Sequence, residues 1–148
     1  MARITVSVDI DATPQRVWEV VEPVERRVDW MHDAVAIRFD GEQTRGVGTR
    51  FWCDTKVGPI KLVDTMEITA WEPEHTMGVR HIGMVTGSGQ FTLTPIDLDR
   101  RTRFTWDEEL IFPWWLGGPV GAFVGGKVVL AAIWKRNLRD LRRLVEQH

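Results

Sequence analysis

Asp64, His81 and Glu108 are the residues of this chain best suited to acid–base chemistry. Two carboxylic acids and an imidazole can donate, accept and relay protons when one of them titrates near the working pH within hydrogen-bond reach of a substrate. Each lies in a run of period two. Leu62, Asp64, Met66, Ile68 and Ala70 share one side of their run, Met77, Val79 and His81 share another, and Thr102, Phe104, Trp106, Glu108, Leu110 and Phe112 a third. Phe51 and Cys53 alternate in the same way. Successive side chains of a strand point to opposite faces, so the three polar groups fall on otherwise apolar faces. The alternatives are a bulge that reverses the parity and turns a group to solvent, or simple pairing near a rim.

Other motifs are weaker. Gly121-Ala122-Phe123-Val124-Gly125-Gly126-Lys127 has the spacing of a phosphate-binding loop, but Val128 stands where a Ser or Thr hydroxyl would reach the metal. Its glycines are better read as letting a helix start lie close to a sheet. Gly87-Ser88-Gly89 is followed by Thr92 where a dinucleotide fingerprint needs glycine, and reads as a bend or a close backbone approach in a strand. His32, His75, His81 and His148 are scattered and Cys53 is alone, so no metal-ligand spacing exists. Neither Ser7 nor Ser88 lies in a nucleophile elbow, and there is no Tyr to act as a phenolic acid. No cofactor is expected. Lys127, at the edge of an apolar helical stripe, either reaches solvent or, if buried, needs Glu108 or Asp64 as its partner.

The elements that carry these groups follow from periodicity. Ile4, Val6, Val8 and Ile10 alternate with polar residues, as in a half-buried strand. Thr13-Pro14 is a helix start, with Thr as N-cap and Pro in the first turn. Val17, Val20 and Val21 share its apolar face, and a second short helix runs from Pro23 to about Trp30 with Val24 and Val28 one turn apart. Strands are expected over 34–39, 49–56, 60–71, 76–82, 86–96 and 101–112, joined by short turns as antiparallel hairpins. After Phe112 the period changes to about 3.6 residues, which predicts a helix over roughly Val120 to Glu146. Val120, Phe123 or Val124, Val128, Ala131, Trp134, Leu138, Leu141 and Val145 form its stripe. Lys135, Arg136, Arg139, Arg142 and Arg143 form its solvated face.

With 148 residues, 43% hydrophobic and 27% charged, the chain has the length and composition of one folded domain with its own core. A net charge of -2 argues against nucleic acid as a partner, since phosphate binding needs a broad basic surface. A single cysteine excludes an internal disulfide and fits a reducing, cytoplasmic location. Arg3, Asp9 and Asp11 interrupt any apolar leader. The uncharged stretch 111–126 contains Pro113 and Pro119 and is shorter than the roughly 20 residues of a spanning helix, so stable membrane insertion is not expected. Eight Trp and six Phe suit both a core and the walls of an apolar pocket.

The run from Val6 through Asp11-Ala12-Thr13-Pro14-Gln15-Arg16-Val17-Trp18, then Val28-Asp29-Trp30, Gly48-Thr49-Arg50-Phe51, Trp71-Glu72-Pro73 and Phe91-Thr92-Leu93-Thr94-Pro95, resembles the START-like (SRPBCC) superfamily in its polyketide cyclase/dehydrase branch. The resemblance spans essentially the whole chain and implies an α+β helix-grip fold: a curved seven-stranded antiparallel sheet around a long C-terminal helix, with two short helices after the first strand. It implies ligands such as lipids, sterols, polyketides, quinones or aromatic hormones, and in some members aromatase/cyclase activity. It carries over no catalytic residue, because no catalytic motif matches.

The expectation is one domain, 1–148, that binds a hydrophobic or aromatic small molecule in a cavity of about 300 Å³ between sheet and helix. Met66, Val79, Phe91, Phe104, Trp106 and Trp134 are its expected apolar walls. His81, Glu108, Phe123 and Lys127 complete the expected lining. The alternative is a cyclase or dehydratase using Asp64, His81 and Glu108 in the same cavity. A further alternative is an interaction module that presents Phe112-Pro113-Trp114-Trp115-Leu116 to a membrane or protein. A monomer or a homodimer fits either of the first two.

Overall fold

The computed structural model describes residues 2–57, 60–83, 85–111 and 127–147, with the side chains of all but residues 2, 57, 60 and 127. In chain order the elements are β1 (Ala2–Ile10), α1 (Pro14–Val21), a 3₁₀ helix η1 (Val24–Asp29), β2 (Ala34–Phe39), β3 (Arg50–Val57), β4 (Ile60–Glu72), β5 (Thr76–Ile82), β6 (Thr86–Ile96), β7 (Arg101–Ile111) and α2 (Lys127–Glu146). The strands form one curved antiparallel sheet of seven in the order β1-β7-β6-β5-β4-β3-β2. Six strands follow one another as hairpins, whereas β1 pairs with β7 from Ala2↔Leu110 to Ile10↔Thr102. The helical pair α1 and η1 therefore carries the chain from one edge of the sheet to the other. The fold is the α+β helix grip.

α1 begins as its sequence predicts: the Thr13 side chain accepts a hydrogen bond from the Arg16 N–H at 3.2 Å, and Pro14 occupies the first turn. α2 lies against β1 and the concave face of the sheet. It also meets the sheet through an aromatic stack of Trp134 on Trp106, with ring centroids 4.3 Å apart and planes 13° from parallel. Behind that stack Trp30, Phe91 and Phe104 pack with centroids 5.1 to 6.3 Å apart and close one end of the interior. Lys135, Arg136, Arg139, Arg142 and Arg143 of α2 are all exposed. Among the described residues no helix is long and apolar enough to cross a membrane.

Three local readings are corrected. The second helix is 3₁₀ rather than α. With three residues per turn, side chains at i and i+3 eclipse, so Arg27 and not Val28 shares the inward face of Val24. On α2, Val128 is 68% exposed and Leu130 is buried in its stead. Six residues at about 100° each leave Val128 about 120° from Trp134 around the helix, whereas Leu130 lies within about 40°. On β4 a register shift between Ile68 and Ala70 sets Ala70 opposite the outward Gly78, and brings Trp71 to the inner face against Trp18. Asp64 lies before that bulge and keeps its inward parity. The expected helix residues 120–126, Phe123 among them, the loop-like glycine run and the Phe112–Leu116 segment lie outside the described residues.

Candidate functional site

Asp64, His81 and Glu108 come together on the concave face. His81 stands opposite Met66 on β4, and Asp64, two residues along, is its diagonal neighbour. Glu108 is two strands away on β7, beyond β6. The β6 residues between them are Gly87, opposite His81, and Gly89, opposite Glu108. A Cβ on Gly89 would overlap Glu108 Oε1, so the glutamate lies across the space that the absent side chain leaves open. Through that gap Glu108 Oε1 reaches His81 Nε2 at 2.9 Å, while Asp64 Oδ2 meets His81 Nδ1 at 2.9 Å.

Carboxylate oxygens only accept, so both imidazole nitrogens donate and the ring is the doubly protonated cation. Burial alone would push His81 down, but its hydrogen bonds and charge attraction to Asp64 and Glu108 outweigh that and raise it to about 10. At neutral pH His81 therefore has no free lone pair. His81 is 5% exposed and Glu108 6%, so both are shielded from water, whereas Asp64 keeps some contact with it. Asp64 Oδ1 is buried and has no hydrogen-bond partner among the described residues.

The cluster forms one side of a cavity of about 110 Å³ between the sheet, η1 and α2. Met66, Val79, Phe91, Trp106 and Trp134 supply apolar wall. The Trp134 indole N–H, buried and unpartnered among the described residues, belongs to the same lining. Phe104 does not line the cavity: it is fully buried behind Phe91 and edge-on to Trp30, in the closed end of the core. The cavity is smaller than the expected 300 Å³ or so of a drug-sized site, because that aromatic cluster and the Trp106–Trp134 stack fill much of the interior. Phe123 and the Lys127 side chain lie outside the described residues. Two other hollows, of about 220 and 280 Å³, lie outside the concave face and are lined mainly by polar residues such as Arg16, Arg26, Asp107 and Glu109.

Sequence reading missed several lining residues. Arg27 enters from η1, and the clue to it was a helical turn counted in threes rather than fours. Asp33 is set at the cavity by α2: the buried Asn137 donates to its Oδ1 at 2.8 Å and accepts the His32 N–H at 2.9 Å. Cys53, which alternation with Phe51 already placed on the inner face, stands opposite Asp64 on β3 and lines the cavity too. Burial pushes its thiol up to about 11, partly countered by Thr55 and Arg27, so it stays protonated and unreactive at neutral pH.

This combination of a gripped helix and a seven-stranded antiparallel sheet has relatives. The profile of the family described as polyketide cyclase/dehydrase and lipid transport matches residues 1–146. The chain belongs to this family. Its fold is the helix grip of START-type domains. Among solved structures it is similar to the protein TTHA0849 of Thermus thermophilus (15% identity, 99% of this chain and 98% of that one, TM-score 0.79). It is also similar to a START superfamily protein of Mycobacterium smegmatis (13% identity, 98% and 97%, TM-score 0.78). The Zhui aromatase/cyclase of a Streptomyces species matches at 20% identity over 99% of this chain and 94% of that one, with a TM-score of 0.70. No curated protein matches the sequence. At these identities the solved structures establish the shared fold, and this START-type chain's own residues must carry any argument about what it binds.

Proposed function

We propose that this START-type domain binds a small apolar or aromatic molecule in the cavity between sheet and α2, with Met66, Val79, Phe91, Trp106 and Trp134 as its contact surface. The observation that carries this reading is an apolar-walled hollow with an ionised cluster along one side. Apolar walls supply affinity through burial, and a few fixed polar groups orient the ligand. The test is a titration with para-fluorotoluene followed by fluorine NMR and by Trp emission. A saturable response that disappears in Val79→Trp, which fills the hollow, is expected. A strictly linear response, or one unaffected by Val79→Trp, would sink the reading.

A second reading, cyclisation or dehydration of a polyketide, draws on the juxtaposition of Asp64, His81 and Glu108. With its pKa raised to about 10, His81 suits the role of proton donor and oxyanion partner rather than base. Asp64 Oδ1 is the open acceptor that would take a proton. Under this reading His81→Gln abolishes turnover of a poly-β-ketone while para-fluorotoluene still binds. Unchanged turnover in that variant removes it.

A further inference from the structure

We propose that Arg27 is an anion receptor in the cavity, and that the ligand is a single-ring organic acid whose carboxylate the Arg27 guanidinium holds. This rests on the cavity-binding reading and adds the ligand's charge and size.

Arg27 is 4% exposed and lines the cavity. Among the described residues no carboxylate oxygen lies within ion-pair distance of it, whereas the exposed Arg3, Arg26, Arg38, Arg80 and Arg103 all have acidic partners. Among those same residues its Nε–H has no acceptor, and its Nη2 donates at 3.1 Å to the Met77 sulfur, a weak acceptor. The guanidinium carbon lies 5.0 Å from the centre of the Phe91 ring and 5.4 Å from that of Phe51, so cation–π contacts hold it in place. Burial pushes its pKa down to about 10, which leaves it charged at neutral pH.

A buried charge without a contacting counter-charge is costly; Glu108 attracts Arg27 from beyond contact distance, but the acidic groups that share this cavity make their hydrogen bonds elsewhere. Asp64 and Glu108 clamp His81, Asp33 is held by Asn137, and Cys53 remains a thiol. Asp64 Oδ1 is unpartnered but is not within ion-pair distance of Arg27. The missing partner is therefore supplied by what enters. A guanidinium presents parallel N–H donors that match the two oxygens of a carboxylate. The size limit follows from the cavity volume of about 110 Å³. An apolar protein cavity of about 150 Å³ takes up one benzene ring, so one ring is the most that this smaller cavity would enclose.

The test compares benzoate with benzyl alcohol, which share the ring and differ in charge, on the whole chain by proton–nitrogen correlation NMR. Benzoate is expected to bind at least about tenfold more tightly, and only benzoate should move the Arg27 Nε–H resonance strongly. In Arg27→Met, which keeps the bulk and removes the charge, benzoate should fall to the level of benzyl alcohol measured on the same variant. Equal binding of the two probes to the unmodified protein, or a benzoate preference that survives Arg27→Met, overturns the proposal and leaves cavity binding standing. If neither probe binds, the cavity reading falls and this one with it. The probe preference and the Nε–H shift are measured on the unmodified protein, so they decide the matter even if Arg27→Met does not fold.

Discussion

Asp107, Glu108 and Glu109 are consecutive acids on β7, and the two faces of the sheet treat them differently. Asp107 and Glu109 point outward to Arg3 on β1, at 3.0 and 3.8 Å, in contact with solvent. Glu108 points inward to His81, out of solvent. Outside, water screens each charge and a pair contributes little to stability. Inside, the same chemistry sets a protonation state: His81 stays a cation because two carboxylates face it. The outer pairs adjust the surface, whereas the inner cluster and the nearby Arg27 make the interior something other than a hydrophobic core.

The sharpest way to break this comparison is to remove the cation from the inner cluster. His81→Leu leaves the buried Glu108 and the largely buried Asp64 facing an apolar side chain, and the cost should be about 3–5 kcal/mol in urea unfolding. Replacing Asp64, His81 and Glu108 together with leucines should recover most of that loss, because no buried charge then lacks a partner. If the triple variant is as unstable as the single one, lost packing rather than charge explains the effect.

Much of the scaffold for this cluster could be read from the sequence, because period-two alternation is a local signal. The alternation of β4, β5 and β7 puts Asp64, His81 and Glu108 on apolar faces, and Thr13-Pro14 marks where α1 begins. What alternation does not contain is register. That Gly89 falls opposite Glu108 and opens a path to His81 depends on how β5, β6 and β7 are paired, which no single strand encodes. Arg27 was hidden for another reason. A six-residue helix is too short for its pattern to distinguish three residues per turn from 3.6, and that difference decides whether Arg27 or Val28 faces inward. Phe104 shows a third limit: inward parity places a side chain inside but does not say whether it meets a cavity or fills the core.

The protonation state of His81 makes the comparison measurable by pH. Its folded pKa is raised from 6.5 to about 10, so the folded state holds that proton more tightly than the unfolded chain. The resulting stability is fully present below the unfolded value and is lost as pH rises through the folded one. Unfolding free energy should therefore fall between about pH 6.5 and 10, and His81→Gln should flatten that slope. An unchanged slope in the variant would place the titration elsewhere.

Gly89→Ala should have a smaller effect. The added methyl group meets the end of a flexible side chain rather than backbone, so Glu108 can swing aside at the expense of its bond to His81. A loss of about 1–3 kcal/mol is expected, the range for overpacking an interior site. The His81 titration followed by NMR should move downward at the same time, since one of the two carboxylates that raise it has left. Destabilisation without movement of that titration would mean that the methyl strains the sheet and leaves the clamp intact.

The smallest effect belongs to the outer face. Asp107 accepts hydrogen bonds from Arg3 and from the Thr5 hydroxyl, at 3.0 and 2.8 Å. The Arg3 hydrogen bond, opposed by partial burial and helped by Thr5, holds its pKa below the ordinary carboxylate range. That stability is present above the unfolded carboxylate value and is lost as pH falls through the folded one, a window on the acid side of the one set by His81. Asp107→Asn keeps the shape and removes the charge, and should cost less than about 1 kcal/mol at neutral pH. At 1 M salt the screening length shrinks to about 3 Å, and most of that difference should vanish. The loss in His81→Leu should change little over the same salt range, because no counterion reaches the buried cluster. Two variants that respond alike to salt would mean that water reaches both faces of the sheet, and that the interior of this domain is not the sheltered site on which the binding of a charged ligand depends.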